Sequence, residues 1–204
     1  MYPESLRPPV LSICVPTFNR ARYLDSLLQD LAQHVGELGS TYELLIGDNG
    51  SEDGTHDVVR RYDGQLAIRY FRRPENVGAV RNISQLFSDA RGRYLVYLAD
   101  DDLLIPSALG RYVAYLESNP GVGAVFAPWY THDRVTGSDF GQFYTLDHET
   151  RIEARDHISL FNLLVNSHIF PEIFVARTSL AREVSMEANP FAFLFFVQLS
   201  LIHI

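Results

Sequence analysis

Tyr94-Leu95-Val96-Tyr97-Leu98-Ala99 runs directly into Asp100-Asp101-Asp102, and the apolar pattern resumes at Leu103-Leu104-Ile105. A short, continuous apolar run rich in aromatic and aliphatic residues reads as a strand buried on both faces, as in a parallel sheet. Adjacent carboxylates held at a strand end repel one another and raise each other's pKa unless a cation neutralises them. A hard divalent ion, shared between one or two carboxylates and substrate phosphates, is the natural counter-charge. An acidic run is more often a solvated loop, but this one interrupts an apolar stretch. The expectation is a buried strand that delivers a metal and phosphate site.

Outward from that strand, the first half of the chain alternates strand-like and helix-like segments, as a parallel α/β sheet requires. Leu11–Val15 is an apolar strand expected to stop at Pro16. Tyr23, Leu24, Leu27, Leu28, Leu31, Ala32 and Val35 recur at helical spacing, with Gly36 as the stop. Tyr42–Ile46 reads as the second strand, Gly47–Gly54 as a turn, and a short helix follows to about Tyr62. Ala67–Phe71 is a third strand, Gly78–Ala90 a helix, Pro106–Asn119 another helix, and Val122–Ala127 a fifth strand.

Beyond Trp129 the pattern loosens. Thr136–Gly141 reads as a turn between strands, and Tyr144–Arg155 is polar. Asp156 is placed to cap a helix over Ile158–Val165. Ile173–Val175 is strand-like and Thr178–Val184 reads as a helical turn or two. Phe191–Ile204 is apolar nearly all round but shorter than the roughly 20 residues of a membrane span. A helix of that kind is buried by something: a continuation of a larger enzyme, or a docking surface for a second copy or a membrane face.

Composition narrows the class. The chain has 204 residues, 47% of them hydrophobic, and a net charge of −8, which fits one α/β domain and disfavours a nucleic-acid partner. Its basic side chains are all arginine, so no lysine is available as a nucleophile or phosphate clamp. The single cysteine, Cys14, cannot form an internal disulfide, and Met1–Val10 does not read as a secretory signal; both suit a cytoplasmic protein.

Three segments fall at the carboxyl ends of strands, where ligands bind in open α/β sheets. They are Pro16-Thr17-Phe18-Asn19-Arg20, Asp48-Asn49-Gly50-Ser51-Glu52-Asp53-Gly54-Thr55 and the triple aspartate. A fourth element is Arg81, at the opening of a helix whose backbone N–H groups and dipole favour anions. Arginine adds a bidentate partner for phosphate. A nucleotidyltransferase would carry a glycine-rich loop after its first strand, and Pro16–Arg20 has no glycine. A phosphatase of the Asp-x-Asp type would follow its acids with Thr or Val, where this chain has Leu103 and Leu104.

In this order and spacing the four segments, with Asn76, Gly78 and Asn82 beside Arg81, resemble the signature of family 2 glycosyltransferases. The resemblance covers about the first 130 residues. It implies a single GT-A-like, Rossmann-related domain: a central, mostly parallel sheet flanked by helices. Residues 1–130 would be the donor-binding subdomain and 131–204 the acceptor-side subdomain. Pro16, Thr17 and Asn19 would line the nucleotide pocket, with Asp48 on the base and Arg81 near base and phosphates. Asp100 would meet the ribose, Asp101 would lie on the nucleotide side, and Asp102 would bind Mn2+ or Mg2+.

The implied reaction is inverting transfer of a sugar from a nucleotide-sugar donor, UDP- or dTDP-linked, to a hydroxyl on a saccharide, lipid-linked or other acceptor. The chain departs from the family in the catalytic base, since the helix opening Ala188-Asn189-Pro190-Phe191 has no acid in its first turn. Glu172, bracketed by Phe170, Pro171, Ile173 and Phe174, is the preferred base, with Glu187 next. Pairing with Arg177 is the structural alternative for Glu172. Trp129 is a candidate sugar contact or a core residue. A non-catalytic nucleotide-sugar-binding module, or a catalytically incomplete fragment, is the competing function.

Overall fold

The computed structural model describes residues 8–126, 128, 130–133, 136–142, 148–153, 156–167 and 174–183. Glu172, Glu187, Trp129 and Phe191–Ile204 lie outside the described residues.

Strands β1 (Leu11–Thr17), β2 (Tyr42–Asp48), β3 (Ile68–Arg72) and β4 (Tyr94–Tyr97) form the parallel part of a six-stranded sheet. Strands β5 (Ala124–Phe126) and β8 (Phe174–Arg177) complete it, in the order β3-β2-β1-β4-β8-β5. β8 lies antiparallel to both β4 and β5. A separate hairpin joins β6 (Tyr130–Asp133) to β7 (Ser138–Gln142).

Period-two alternation along the strands divides the core between two faces. Leu11, Ile13 and Val15 of β1 pack into one cluster, with Leu24, Leu27, Leu28 and Leu31 of helix α1 (Ala21–His34). That cluster also takes Val58 and Val59 of α2 (Thr55–Arg61) and Leu109, Val113 and Leu116 of α4 (Pro106–Ser118). Cys14, Leu45 and Leu95 point the other way, onto Ile83, Leu86 and Phe87 of α3 (Ala79–Asp89) and Ala181 of α6 (Thr178–Glu183). The leucines of α1 sit at i, i+3, i+4 and i+7, the spacing that predicts this helix from sequence. Burial of Cys14 pushes its thiol well above the ordinary range, and the residue is a core hydrophobe.

Two strands run further than the sequence suggests. β1 continues through Pro16 to Thr17, because the missing proline N–H faces the β4 side. The Cys14 carbonyl on that side accepts from Leu98 N–H, and β4 itself ends at Tyr97, so no ladder bond is lost at Pro16. β2 continues through Gly47 to Asp48 rather than turning at Gly47. A Cβ at Gly47 would come within 2.9 Å of Asn82 Oδ1 and of Leu86, so glycine there lets α3 lie close on the strand. The expected turn at Thr136–Gly141 is shorter, since Ser138 already belongs to β7.

In the second half, helix α5 spans His157–Asn166 and is capped as expected: the Asp156 side chain accepts from Ser159 N–H at 3.1 Å. The strand expected near Ile173–Val175 is β8, and the following helical turns are α6. Among the described residues no helix is long and apolar enough to cross a membrane.

Candidate functional site

The chain moves outward from β1 to β2 and β3, then returns to β4 on the other side of β1, so the order reverses between β1 and β4. Crevices at the carboxyl ends of strands flanking such a reversal are where open α/β sheets bind ligands. Thr17 at the end of β1 donates its hydroxyl to Asp100 Oδ2 at 2.7 Å across this point. Arg20 approaches Asp100 Oδ1 with Nε at 3.3 Å and donates through Nη2 to Asp101 Oδ2. Its guanidinium also lies over the Tyr23 ring, 4.6 Å from the centroid. Thr17, Asp100 and Asp101 are thus one constellation with Arg20 as its cation, and Pro16 lies half-buried just behind it.

Asp100 and Thr17 are buried, Asp101 is half-exposed and Asp102 is exposed, so the turn Ala99–Asp102 fans its acids from interior to solvent. The Asp102 N–H closes that turn on the Ala99 carbonyl at 3.2 Å. Burial raises the Asp100 pKa above the usual carboxylate value, outweighing the Thr17 hydrogen bond and the Arg20 charge, with Asp101 adding to the rise. Among the described residues no group of three or more His, Cys, Asp or Glu is placed to hold a metal ion by itself. One outward carboxylate, Asp102, beside a second at Asp101, is the donor set of a hard ion that keeps waters and takes its remaining ligands from a phosphate. The residues fit such an ion when a ligand shares it.

The other loops are tied to this centre. Asn19 takes a left-handed backbone conformation, φ 52°, which asparagine tolerates better than most residues. Its N–H donates to Ser51 Oγ and its Oδ1 accepts from Glu52 N–H, both at 2.9 Å. Asp53 accepts from Ala21 N–H at 2.9 Å, and Asn49 binds both Asn76 Oδ1 and Val77 N–H at 2.9 Å. Gly50, at φ 81°, lets this loop lie against the Glu75 backbone, where a Cβ would come within 2.7 Å. Asn19 therefore joins the first two loops, and Asn49 joins the second to the third.

Asp48 pairs in register with Thr17 and is fully buried. Oδ1 accepts from Ser51 N–H at 2.8 Å, and Oδ2 accepts from the Tyr70 hydroxyl. Arg72 Nε stands 3.9 Å from the same Oδ2. Arg81 stands exposed in the first turn of α3. Asn82, next to it, is buried and donates Nδ2 to the Gly47 carbonyl at 2.7 Å, a scaffold role. Arg177, the partner that a structural role for Glu172 requires, donates Nε to Val122 O at 2.8 Å. Its Nη2 donates to Leu116 O and Asn119 O at 3.1 and 3.3 Å.

The sequence pattern does not single out Arg20 as the cation of the acidic turn, or Tyr70 and Arg72 as the neighbours of Asp48. The alternation in Ile68-Arg69-Tyr70-Phe71-Arg72 does put Tyr70 and Arg72 on one face at the carboxyl end of β3. That was the available signal.

Residues 12–174 match Glycosyl transferase family 2, and the chain belongs to that family. Abequosyltransferase RfbV of Salmonella typhimurium is 29% identical over 171 residues, covering 82% of this chain and 47% of that protein. The chain thus spans about half the length of this curated relative. The crystal structure of Staphylococcus aureus TarS residues 1–349 shares the fold at a TM-score of 0.69 and 20% identity, covering 93% of this chain and 54% of that one. Glucosyl-3-phosphoglycerate synthase of Mycobacterium tuberculosis, crystallised with Mn2+, UDP and glucosyl-3-phosphoglycerate, aligns at a TM-score of 0.53 and 17% identity, covering 85% of this chain and 58% of that one. The mixed α/β architecture is that of the GT-A glycosyltransferases.

Proposed function

We propose that this family 2 chain transfers a sugar from a nucleoside-diphosphate sugar, UDP- or dTDP-linked, to an acceptor hydroxyl with inversion at the anomeric carbon. The observation that carries this reading is the meeting of Thr17, Arg20, Asp100 and Asp101 where the strand order reverses, with Asp102 facing outward beside them. Residues 1–130 form the donor side and residues 131–204 the acceptor side. Pro16, Thr17 and Asn19 line the nucleotide pocket, Asp48 reads the base, Arg81 lies toward the phosphates, and Asp100 and Asp101 face the ribose side. Asp102 holds Mn2+ or Mg2+, which when bound stabilises negative charge on the leaving diphosphate as a Lewis acid.

The Mn2+ and UDP bound to the Mycobacterium tuberculosis synthase support an ion and a uridine nucleotide in this fold. The name of the Salmonella relative, an abequosyltransferase, supports transfer of a sugar; the proposed setting is polysaccharide biosynthesis in the cytoplasm.

Glu172 takes the proton from the attacking acceptor hydroxyl, and its apolar neighbours in sequence suit a base poised near neutral pH. A single displacement from the face opposite the diphosphate inverts the anomeric centre and needs no protein nucleophile. Trp129 offers a ring face to the sugar. The test is calorimetry of UDP with and without manganese. The wild type is expected to bind more tightly with the ion, and Asp102→Asn to lose that gain while keeping its melting temperature. An equal manganese-dependent affinity in the variant removes Asp102 from the role.

A further inference from the structure

Asp48 ends β2 in register with Thr17 yet has no solvent-exposed surface. Oδ1 accepts from the Ser51 N–H, and Oδ2 is covered by the Tyr70 hydroxyl. Arg72 closes the remaining flank, with Nε 3.9 Å from Oδ2 and Nη2 on the Ser51 carbonyl at 2.9 Å. The register explains the contact: Tyr70 pairs with Ile46, two residues before Asp48 on the same face, so the phenol reaches diagonally along the strand. Its ring is half-buried and packs against exposed His56 of α2, 5.7 Å between centroids. A base that is to hydrogen-bond Asp48 Oδ2 therefore competes with Tyr70 for it.

We infer that the Tyr70 hydroxyl is the group a base must displace to be read by Asp48: it fills the position of a pyrimidine imino N–H on Asp48 Oδ2 and sets the affinity of bases that carry one. This rests on the reading of Asp48 as the base-recognising acid. Uracil and thymine bring a donor at N3 and replace the hydrogen bond they displace. Cytosine brings an acceptor at N3, cannot replace that hydrogen bond, and so leaves Tyr70 in place on Asp48. Burial, reinforced by the bond to Asp48, holds the Tyr70 phenol protonated well beyond its usual range, so it remains a donor throughout physiological pH. No covalent chemistry is involved; one charge-assisted donor is exchanged for another.

The experiment compares UDP and CDP, each with manganese, on the whole chain and on Tyr70→Phe. Removing the hydroxyl should tighten UDP roughly tenfold, because a charge-assisted hydrogen bond no longer has to be broken, and leave CDP unchanged. In the wild type, UDP should also produce a tyrosine ultraviolet difference spectrum, as the phenol leaves the carboxylate, and CDP should not. Tyr70→Phe should abolish that signal. The wild-type spectrum needs no variant to fold. UDP binding with no tyrosine signal, or equal signals from UDP and CDP, overturns the inference alone. Weaker UDP binding by a normally folded Tyr70→Phe does the same. A wild type that binds neither UDP nor dTDP overturns the proposed function, and this inference with it.

Discussion

Glu43 and Asp48 lie at opposite ends of the same strand, and the two ends of the sheet treat buried acids differently. At the amino end, burial pushes Glu43 up, but its partners outweigh that and hold it below the ordinary range. The Ser12 hydroxyl and Arg69 Nη1 both donate to it at 2.6 Å, and the Arg91 N–H donates as well. Gly92 N–H adds a bond to Ser12 Oγ at 2.8 Å, tying β1, β2, β3 and the start of β4 together. At the carboxyl end, Asp100 has one hydroxyl and one shared guanidinium, and burial wins. A buried carboxylate that is over-supplied with donors is finished structure. One that is under-supplied still gains from another cation or donor, which is the condition a ligand site requires.

Substitutions should separate the two ends, binding and rate on one side and stability on the other. The largest effect is expected from Glu172→Gln, the proposed base: kcat should fall roughly 10²–10⁴-fold with donor affinity and melting temperature unchanged. A normal single-turnover rate with a lowered melting temperature would move Glu172 to the structural side. Next is Glu43→Ala, which takes the buried acid away from half-buried Arg69 and leaves that charge only the Asp89 carbonyl. Chemical denaturation should show a loss of about 3–5 kcal/mol, with UDP affinity untouched. A change in affinity would mean that the two ends are coupled through β2. Asp48→Ala should weaken UDP or dTDP by about 1–3 kcal/mol relative to CDP, read by calorimetry. An unchanged preference would take base reading away from Asp48.

The smallest expected effect is in the pH profile. Because the folded pKa of Glu43 lies below the ordinary 4.5, its contribution is complete above that value and is lost as the pH falls through the folded pKa. Unfolding free energy of the wild type should therefore drop on acidification below 4.5 more steeply than that of Glu43→Gln. Parallel profiles would show that Glu43 does not carry the acid sensitivity.

What sequence made legible follows the same division between local and distant causes. The leucine stripe of α1, the Asp156 cap and the existence of β2 and β4 are set by neighbours a few residues away, and they are legible in the sequence. Pro16 and Gly47 suggest strand stops in the sequence, yet both lie within strands. Whether a proline costs a ladder bond depends on where β4 ends, and whether a glycine turns depends on how near α3 lies. The place of β8 between β4 and β5 was not legible, because Leu95 and its partner Ala176 are roughly eighty residues apart in sequence. Three apolar residues and an arginine match many partners equally well. The Tyr70–Asp48 contact likewise depends on the β2–β3 register, which neither segment specifies alone.

β8 has a consequence for how the molecule is made. It is the neighbour of β4 and of β5, yet it is the last strand in the described chain. During synthesis β1 to β4 can assemble early, but one side of β4 keeps its N–H and C=O groups unpaired until Arg177 has emerged. An open strand edge is a template for another chain, and pairings this far apart in sequence close slowly. The interval between the emergence of Tyr97 and of Arg177 is therefore when a nascent chain is most open to mispairing. Crowded expression, slow translation or a substitution that delays β8 would all act through that window, and would lower the yield of protein without altering any residue of the mature site.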